Sequence, residues 1–352
     1  MPNINLSFCI PTYNRSGSVA RLVSDILKCQ DEDIEVVVLD NGSTDNTLEV
    51  LRAIADPRLT VQCNGDNKGM LHNMVNVMVC GKGTFLVFCT DKDYVDADRI
   101  TFFKNFLLQQ PELNCGFCRL GAEANGGISV FRVGYAAVRA VAFKSRHPTG
   151  LFFRASALKS MNFLELFSNY EYVDLFPLDF ALADASILGH SAIFGEPLFS
   201  PEVAIQAAVH KSWTTSGNAR SAFFSPESRL KLTINYSIHA CKLGLSKKQL
   251  KSLLSSLFIQ GLNQSTRGYR SVMGNEALCN HYGMDRRVVS GVEMLQIAWR
   301  FYRRWKDSTR SLWMPGGYLF GQMEFHALAQ FFRTLWSRAR VARVGASSAV
   351  SV

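Results

Sequence analysis

Apolar runs and amphipathic segments alternate along the first third of the chain. Three apolar runs have the composition of buried parallel strands, at residues 6–10, 34–39 and 84–90. Residues 19–28 and 47–54, and a segment that begins near Gly69, have helical spacing instead, and residues 59–62 form a short strand-like stretch. This alternation predicts an α/β fold with a doubly wound, mostly parallel sheet flanked by helices.

The pattern changes beyond about residue 202, where long helical segments replace the short strands. We therefore expect one α/β domain over residues 1–205 and a helical C-terminal region over residues 206–352. Within the first domain, residues 1–100 and 101–205 form two halves. The helical segments of the second region are predicted at residues 228–243, 246–262, 291–305 and 317–343.

Polar clusters follow the apolar runs directly, at residues 11–15, 40–45 and 91–93. Ligands of open α/β sheets bind at the carboxyl ends of the strands, so these clusters mark a candidate site. Asp91 and Asp93 would share one side of an extended backbone. Two such carboxylates suit a divalent cation that keeps positions open for diphosphate oxygens.

Asp40 has two interpretations that the sequence leaves open. Its carboxylate ends a buried run and would suit hydrogen bonds to a base or a ribose. The following Asn-Gly-Ser-Thr-Asp is equally rich in turn and helix-capping residues.

Charge is concentrated near the C-terminus. The 352 residues carry a formal net charge of +9 with 47% hydrophobic residues, a composition that excludes a disordered chain. Residues 286–343 hold eleven Arg or Lys against three acids, so they contribute +8 of that charge. A basic region on a nearly neutral body predicts an anionic partner.

The nine cysteines are scattered and show no disulfide framework. The first residues lack a charged, apolar leader, and no run of about 18 apolar residues exists, so we expect a cytoplasmic protein with reduced thiols. Cys115 and Cys118 have redox or zinc spacing, but without a second pair we interpret them as buried structural thiols.

Four segments, taken together, resemble the ordered blocks of family 2 glycosyltransferases. They are Phe8–Arg15 (FCIPTYNR), Val38–Asp45 (VLDNGSTD), Asn64–Gly69 (NGDNKG) and Phe88–Asp93 (FCTDKD). The resemblance covers roughly residues 6–100 and weakens beyond them. It implies a GT-A fold and a metal-dependent transfer of a sugar from a nucleotide-diphospho-sugar. We expect this donor to be a UDP-sugar.

The resemblance also implies roles for individual residues. The nucleotide-sugar would contact Pro11, Thr12, Tyr13, Arg15, Asp40, Asn41, Lys68 and Asp91. Tyr13 would lie near the base, Lys68 near the phosphates or the uracil, and Asp91 near the ribose or the sugar. Asp93, with Asp91, would bind Mg2+ or Mn2+. His210 would complete the metal shell or, as a lone histidine, be structural.

Two later segments resemble the acceptor half of the family. Residues 147–154 (HPTGLFFR) resemble its glycine-containing strand, and residues 176–182 (FPLDFAL) resemble the segment that holds the catalytic base. Leu178 replaces the usual Glu, whereas Asp179 keeps the position of the Asp. An inverting transfer needs a carboxylate that takes the acceptor proton, and Asp179 is the candidate, with Asp174 and Asp184 as alternatives.

The basic region has helical periodicity with aromatic residues. On a helical wheel of residues 292–306, Leu295, Trp299, Tyr302 and Trp305 fall on one side, away from the arginines. Such a helix suits an anionic membrane surface, here over residues 286–343 at the inner face of the membrane. Packing of the aromatic residues in a core is the alternative, and both stay open.

The predicted function is sugar transfer to a glycan or lipid-linked acceptor in surface polysaccharide synthesis. A nucleotidyltransferase would also use paired acids, but it would need a glycine-rich basic loop where this chain has Pro11–Arg15. A nucleic-acid-binding protein would use the basic region and leave the polar clusters unexplained, so no nucleic-acid partner is expected.

Overall fold

The structure, a computed structural model, describes residues 3–124, 126–168, 176–201, 224–282 and 285–309. The chain divides into two compact units, Met1–Trp213 and Thr214–Val352. The predicted boundary at residue 205, the candidates Asp174 and His210, and the basic segment beyond residue 309 lie outside the described residues.

The described strands of the first unit form one sheet in the order β3-β2-β1-β4-β8-β6-β9-β5, with β7 beside β9. Their bounds are β1 Leu6–Thr12, β2 Ile34–Asp40, β3 Leu59–Cys63, β4 Phe85–Phe88, β5 Tyr94–Val95, β6 Leu113–Leu120, β7 Ile128–Phe131, β8 Leu151–Arg154 and β9 His190–Ser200.

Helices connect and flank these strands. They are α1 Ser16–Leu27, α2 Thr47–Arg52, α3 Met70–Cys80, α4 Ile100–Leu108, α5 Tyr135–Val141, α6 Ala155–Ser160, α7 Phe163–Ser168 and α8 Pro177–Leu188. The apolar stripe of α1 is buried against the sheet through Val19, Leu22, Val23 and Ile26. The predicted α/β architecture with flanking helices is confirmed.

The sheet has a parallel half and a mixed half. Strand β2 pairs in parallel with β1 and β3, and β1 pairs in parallel with β4, which places the carboxyl ends of all four strands at one edge. Every residue of β2 is buried, as its continuous apolar run predicts. In the other half, β8 returns antiparallel between β4 and β6, and β9 is parallel only to β6.

The second unit is helical, with α9 Pro226–Ala240, α10 Lys247–Asn263, a π-helical segment Gln264–Gly268, α11 Tyr269–Gly274, α12 Glu276–Tyr282 and α13 Gly291–Thr309. Its core packs α9, α10 and α13 together. The Phe258 ring lies 5.7 Å from the Phe301 ring and 4.7 Å from the Trp305 ring, and Trp305 Nε1 donates to Ser237 Oγ at 3.2 Å.

Helix α13 corrects the predicted grouping of its aromatic residues. Trp305 is 1% exposed in the core of the second unit, whereas Trp299 is 63% exposed. Six residues separate the two positions, which rotates them about 120° apart on an α-helix, so they cannot share one face. Core packing therefore applies to Trp305, and an outer stripe through Val292, Leu295 and Trp299 stays exposed.

Cys115 and Cys118 are buried, as the sequence analysis predicted for structural thiols. All nine cysteines are free. Burial raises the pKa of the Cys115 thiol to about 12 and that of Cys118 well above its usual range, which makes both thiols poor nucleophiles. Over the described ranges, no helix is long and apolar enough to cross a membrane.

Candidate functional site

The polar clusters meet at the carboxyl edge of the parallel half, where β1, β2 and β3 end in register. Thr12 pairs with Asp40, and Asp40 pairs with Cys63. Beyond the strands, the Asn41 N–H donates to the Thr12 carbonyl and the Asn64 N–H donates to the Asp40 carbonyl, both at 2.9 Å. The loops after these strands are therefore held together by backbone hydrogen bonds.

Asp40 is fully buried and shapes the turn that follows it. Its Oδ2 accepts from the Ser43 N–H at 2.9 Å, and its Oδ1 accepts from the Ser43 hydroxyl. The Cys63 thiol lies 3.4 Å from the same Oδ2. Both carboxylate oxygens thus have protein donors, and this favours the turn-forming role among the two that the sequence left open.

Four asparagines, which we call the asparagine frame, fix the loops beside this turn: Asn41, Asn64, Asn67 and Asn73. The buried Asn41 amide donates to Asn67 Oδ1 at 2.9 Å and accepts from Asn64 Nδ2 at 3.0 Å. Asn73 Nδ2 donates to the Leu39 carbonyl at 3.0 Å and more weakly to that of Thr12. Asn41 Oδ1 also accepts a hydrogen bond from the Lys68 backbone N–H at 3.1 Å, so Asn41 organises the loop around Lys68.

Asn73 is a site residue that the sequence analysis missed. It lies on α3 among buried Met74, Val77 and Met78, so it is a polar side chain on the apolar face of a helix. That position was the available signal, because a buried amide needs hydrogen-bond partners.

A glycine is required where the turn meets the asparagine loop. Gly42 has φ +73°, and a Cβ atom there would lie 2.6 Å from the Asp66 backbone. The close approach leaves no room for a side chain.

The predicted nucleotide-side residues fall into inner and outer groups. Thr12 Oγ1 donates to Asp91 Oδ2 at 2.9 Å, and Arg15 Nε lies 3.4 Å from the same oxygen. Burial raises the pKa of Asp91, although Arg15 and Thr12 oppose the shift. Pro11 and Tyr13 are half-buried at the edge. Lys68 is exposed and pairs with Asp66 at 2.7 Å.

Asp91 and Asp93 face different neighbours, contrary to the expectation that they share one side. The backbone turns between them, with the Asp93 N–H donating to the Thr90 carbonyl at 3.2 Å, so it is not extended there. Asp91 contacts residues of and after β1, whereas Asp93 Oδ2 accepts from the hydroxyls of Thr90 and Thr149. The turn thus directs one carboxylate toward each neighbouring strand of β4.

His147 lies beside the fully buried Asp93, with its Nδ1 3.5 Å from Asp93 Oδ2. Burial lowers the pKa of His147 although Asp93 opposes the shift, so the imidazole is neutral at pH 7. A neutral imidazole nitrogen and a carboxylate oxygen are ligands that divalent cations take in proteins, and in this structure His147 Nδ1 also accepts from the Thr149 N–H at 3.3 Å. Within the described ranges, no group of three or more His, Cys, Asp or Glu side chains is arranged for a metal.

Asp179, which the resemblance implies is the catalytic base, is buried in the first turn of α8. Its Oδ2 accepts from the Ser145 N–H at 2.7 Å. Pro177 at the first helical position and Phe176 with φ 52° fix the start of this helix. Asp184 lies further along α8 and is half-buried.

Residues 143–150 connect α5 to β8, and we call them the bridging loop because they contact both candidate carboxylates. Ser145 donates to Asp179, while His147 and Thr149 contact Asp93. Two residues of chain span at most about 7 Å, so the anchor points at Ser145 and His147 are close neighbours. The loop therefore links Asp93 and Asp179 through contacts made by residues close together in the chain.

The bridging loop has a constrained backbone. Phe143 and Ser145 have φ 58° and 52°, in the left-handed region that few non-glycine residues adopt. At its end, Gly150 has φ +83°, and a Cβ there would lie 2.9 Å from Cys118 Cβ. The sequence analysis missed Ser145 and Thr149, and it assigned no role to His147.

A groove elsewhere in the first unit does not contain these carboxylates. It has a volume of about 390 Å3 and is lined by side chains that include Met78, Leu86, Leu158 and Phe163. Because Leu86 and Ala155 mark the amino end of β4, this groove is at the opposite edge from the carboxylates.

Comparisons with known proteins agree with this architecture. Residues 7–132 match the family model described as Glycosyl transferase family 2. An uncharacterised glycosyltransferase of Mycoplasma genitalium is 32% identical over 115 residues, covering 30% of this chain and 38% of that protein.

A second relative is Escherichia coli WfaP, named as a UDP-Glc:alpha-D-GlcNAc-diphosphoundecaprenol beta-1,3-glucosyltransferase. It is 27% identical over 89 residues, which cover 25% of this chain and 36% of that protein. The matches therefore span well under half of the length of either relative.

Among solved structures, S. aureus TarS 1-349 in complex with UDP-GlcNAc resembles the chain with a TM-score of 0.57 and 15% identity. The likeness covers 88% of this chain and 92% of that one. The fold is thus that of the GT-A glycosyltransferases, as the sequence analysis predicted.

Proposed function

We propose that this chain, a member of glycosyl transferase family 2, transfers a sugar from a UDP-sugar to a hydroxyl of a glycan or lipid-linked acceptor, with inversion. One observation carries the proposal: the bridging loop holds two buried carboxylates, Asp93 and Asp179, at the edge where the nucleotide-side loops converge. Surface polysaccharide synthesis is the process in which such a transfer fits.

The nucleotide-sugar would bind along the loops after β1 and β2. Pro11, Thr12 and Tyr13 would line the nucleotide, and Asp40 and Asn41 would fix the turn on which it rests. Asp91, held by Thr12 and Arg15, would contact the ribose or the sugar. The name of the E. coli relative and the ligand of the TarS structure support a UDP-linked donor.

Asp93 and His147 would hold a divalent cation, Mg2+ or Mn2+, beside the diphosphate. When bound, the cation supplies positive charge that stabilises the departing nucleoside diphosphate. Thr90 and Thr149 donate to Asp93 Oδ2 and keep the carboxylate in place. His210, the sequence candidate for completing the metal shell, lies outside the described residues, and we propose His147, with its Nδ1 3.5 Å from Asp93 Oδ2, as the histidine ligand instead.

Asp179 would act as the general base. As the acceptor oxygen forms a bond to the anomeric carbon, its proton passes to Asp179, and the bond from that carbon to the phosphate oxygen breaks with its electron pair leaving on UDP. Attack from the face opposite the leaving group inverts the configuration. The Ser145 N–H fixes the carboxylate and thereby its direction toward the acceptor.

A panel of nucleotide-sugars tests the proposal. We expect at least one UDP-sugar to raise the melting temperature and to be hydrolysed slowly, both only with Mn2+ or Mg2+ present. The matched control repeats each measurement with EDTA and with the corresponding GDP-sugar. Stabilisation by nucleic acid, with no response to any nucleotide-sugar, would contradict the proposal.

The membrane partner is a second part of the proposal. On α13 the exposed stripe of Val292, Leu295 and Trp299 runs beside exposed Arg300 and Arg303. Tryptophan with flanking cations is the composition of helices that lie on anionic lipid, where each basic residue contributes on the order of 1 kcal/mol. We expect this surface, within residues 286–343, to place the protein at the inner face of the membrane.

Sedimentation with vesicles of anionic lipid tests this surface in the full-length chain. The substitutions Trp299→Ser, Arg300→Gln and Arg303→Gln together should lower vesicle binding about tenfold or more at low salt. The matched control is Lys247→Gln with Lys248→Gln, because these exposed lysines lie at the start of α10. Equal binding by all three proteins would contradict the membrane role of α13.

A further inference from the structure

The cations of the bridging loop have no function in the transfer described above. Lys144 and Arg146 flank Ser145, whose N–H donates to Asp179 at 2.7 Å. Both side chains are half-buried. They therefore flank, along the chain, the residue whose N–H fixes the proposed base.

These cations are incompletely neutralised. Neither Lys144 nor Arg146 forms an ion pair within 4 Å among the residues that the structure describes. The Arg146 Nε is buried and has no hydrogen-bond partner there, although its guanidinium lies 4.0 Å from the centre of the Phe117 ring. A buried donor without a partner is costly unless a ligand supplies an acceptor.

Other charges around the loop increase this excess. Burial lowers the pKa of Lys144, and Arg146 and Arg139 lower it further, against an opposing effect of Asp179. Burial also lowers the pKa of Arg146, against opposing effects of Glu123 and Asp179, while Arg119 adds to the lowering. Among the described residues, the charges that act on Lys144 and Arg146 are thus each other, Arg139, Arg119 and the acids Asp179 and Glu123, and an incoming anion would relieve the repulsion between the cations.

We infer that Lys144 and Arg146 bind a phosphate group that belongs to the acceptor. A guanidinium presents a planar fork of donors that matches phosphate oxygens, and an ammonium adds a point charge. The position next to Asp179 assigns the phosphate to the molecule whose hydroxyl is deprotonated there. This inference rests on the proposed function and adds the class of acceptor, a phosphorylated glycan or glycolipid.

Titration calorimetry with N-acetylglucosamine 1-phosphate as the probe tests the inference, with UDP and Mn2+ saturating the nucleotide side. The uncharged match is N-acetylglucosamine. We expect the phosphorylated probe to bind at least about tenfold more tightly. A methyl phosphodiester of the same sugar separates the two sources of phosphate, because a site for a terminal phosphate prefers the monoester and a site for a polymer backbone accepts both.

Substitution of the two cations tests whether they bind the phosphate of the probe. Lys144→Gln with Arg146→Gln should weaken the phosphorylated probe at least about tenfold and leave UDP affinity unchanged. Lys159→Gln, an exposed lysine at the opposite edge of the sheet, is the matched control and should bind as the wild type does. If the double variant does not fold, Lys144→Gln alone and the charge-preserving Arg146→Lys take its place.

Equal binding of the charged and uncharged sugars would overturn the inference. So would a loss of UDP affinity in the double variant, because the cations would then serve the donor diphosphate. Failure of the wild type to bind UDP would contradict the proposed function alone, since the two sugar probes can be compared without nucleotide.

Discussion

The asparagine frame and the bridging loop lie at the same edge of the sheet and differ in how their polar groups are satisfied. In the frame, the Asn41 amide both donates and accepts within the protein, and in the adjoining turn Asp40 has a donor for each oxygen. In the loop, Arg146 Nε is buried and finds no hydrogen-bond partner in the part of the chain that the structure describes. The polar groups of Asn41 and Asp40 thus have partners within the protein, whereas under the proposal an anion would supply the acceptor that Arg146 Nε lacks.

This difference has a functional meaning under the proposed reaction. Every nucleotide-sugar donor shares the nucleotide, so the loops that would bind it are best held in one conformation before binding. Such preorganisation lowers the entropic cost of binding. In the proposal, the residues that select an acceptor lie on a loop held by a rigid sheet, as specificity residues commonly do. The frame and the loop should therefore respond to substitution in different measurements.

The largest effect is expected on the acceptor side. Asp179→Asn removes the proposed base while keeping its size, so turnover should fall at least about hundredfold, the usual magnitude of general-base catalysis. UDP affinity should stay unchanged, because the asparagine frame is intact. Steady-state kinetics and calorimetry on the same preparation check both expectations.

The matched control for Asp179 is Asp184→Asn, on the same helix. Normal turnover in the Asp179 variant together with a loss in the Asp184 variant would identify Asp184 as the base instead. It would also remove the bridging loop from the reaction.

A smaller effect is expected where the two regions meet. Asp93→Asn removes the charge of the proposed metal ligand, so Mn2+-dependent UDP affinity should fall roughly 10- to 100-fold. UDP affinity measured with EDTA should be the same in both proteins. Asp98→Asn, an exposed acid five residues further on, is the control that should behave as the wild type. Undiminished Mn2+-dependent affinity in the Asp93 variant would place the metal elsewhere.

The smallest effect concerns stability and compares two glycines of the nucleotide-side loops. Gly42 and Gly65 both have positive φ, but a Cβ at Gly65 meets nothing within 4 Å, whereas one at Gly42 meets the Asp66 backbone. Gly42→Ala should therefore lower the free energy of unfolding by about 1–2 kcal/mol more than Gly65→Ala does. Urea unfolding measures this difference in the free energy of unfolding. Equal values for the two variants would show that the Asp66 backbone moves to make room for the added Cβ.

The nucleotide side could be predicted from the sequence because its determinants are local. Each continuous apolar run ends in a polar cluster within one or two residues. That pattern predicts both the buried strand and the edge of the sheet at which a ligand binds. Asp40 bonds to Ser43, only three positions away. The hydrogen bonds of the asparagine frame could not be assigned in the same way, although the buried face of α3 pointed to Asn73.

The acceptor side was predicted less completely because its contacts are distant in sequence. Thr149 and Asp93 are 56 residues apart and meet only because β8 returns antiparallel beside β4. Apolar runs do not specify which strands pair, so neither Thr149 nor His147 could be placed next to Asp93. The turn at Asp91 likewise depends on one backbone hydrogen bond that the spacing of the acids does not reveal.

The two anchors of the bridging loop have a consequence for changing the protein by design. Because Ser145 is tied to Asp179 and Thr149 to Asp93, an inserted or deleted residue between them would displace one carboxylate relative to the other. New acceptor preferences should therefore come from side-chain exchange at constant loop length. Positions 144 and 146 are the first to randomise, since their side chains are absent from both anchoring contacts.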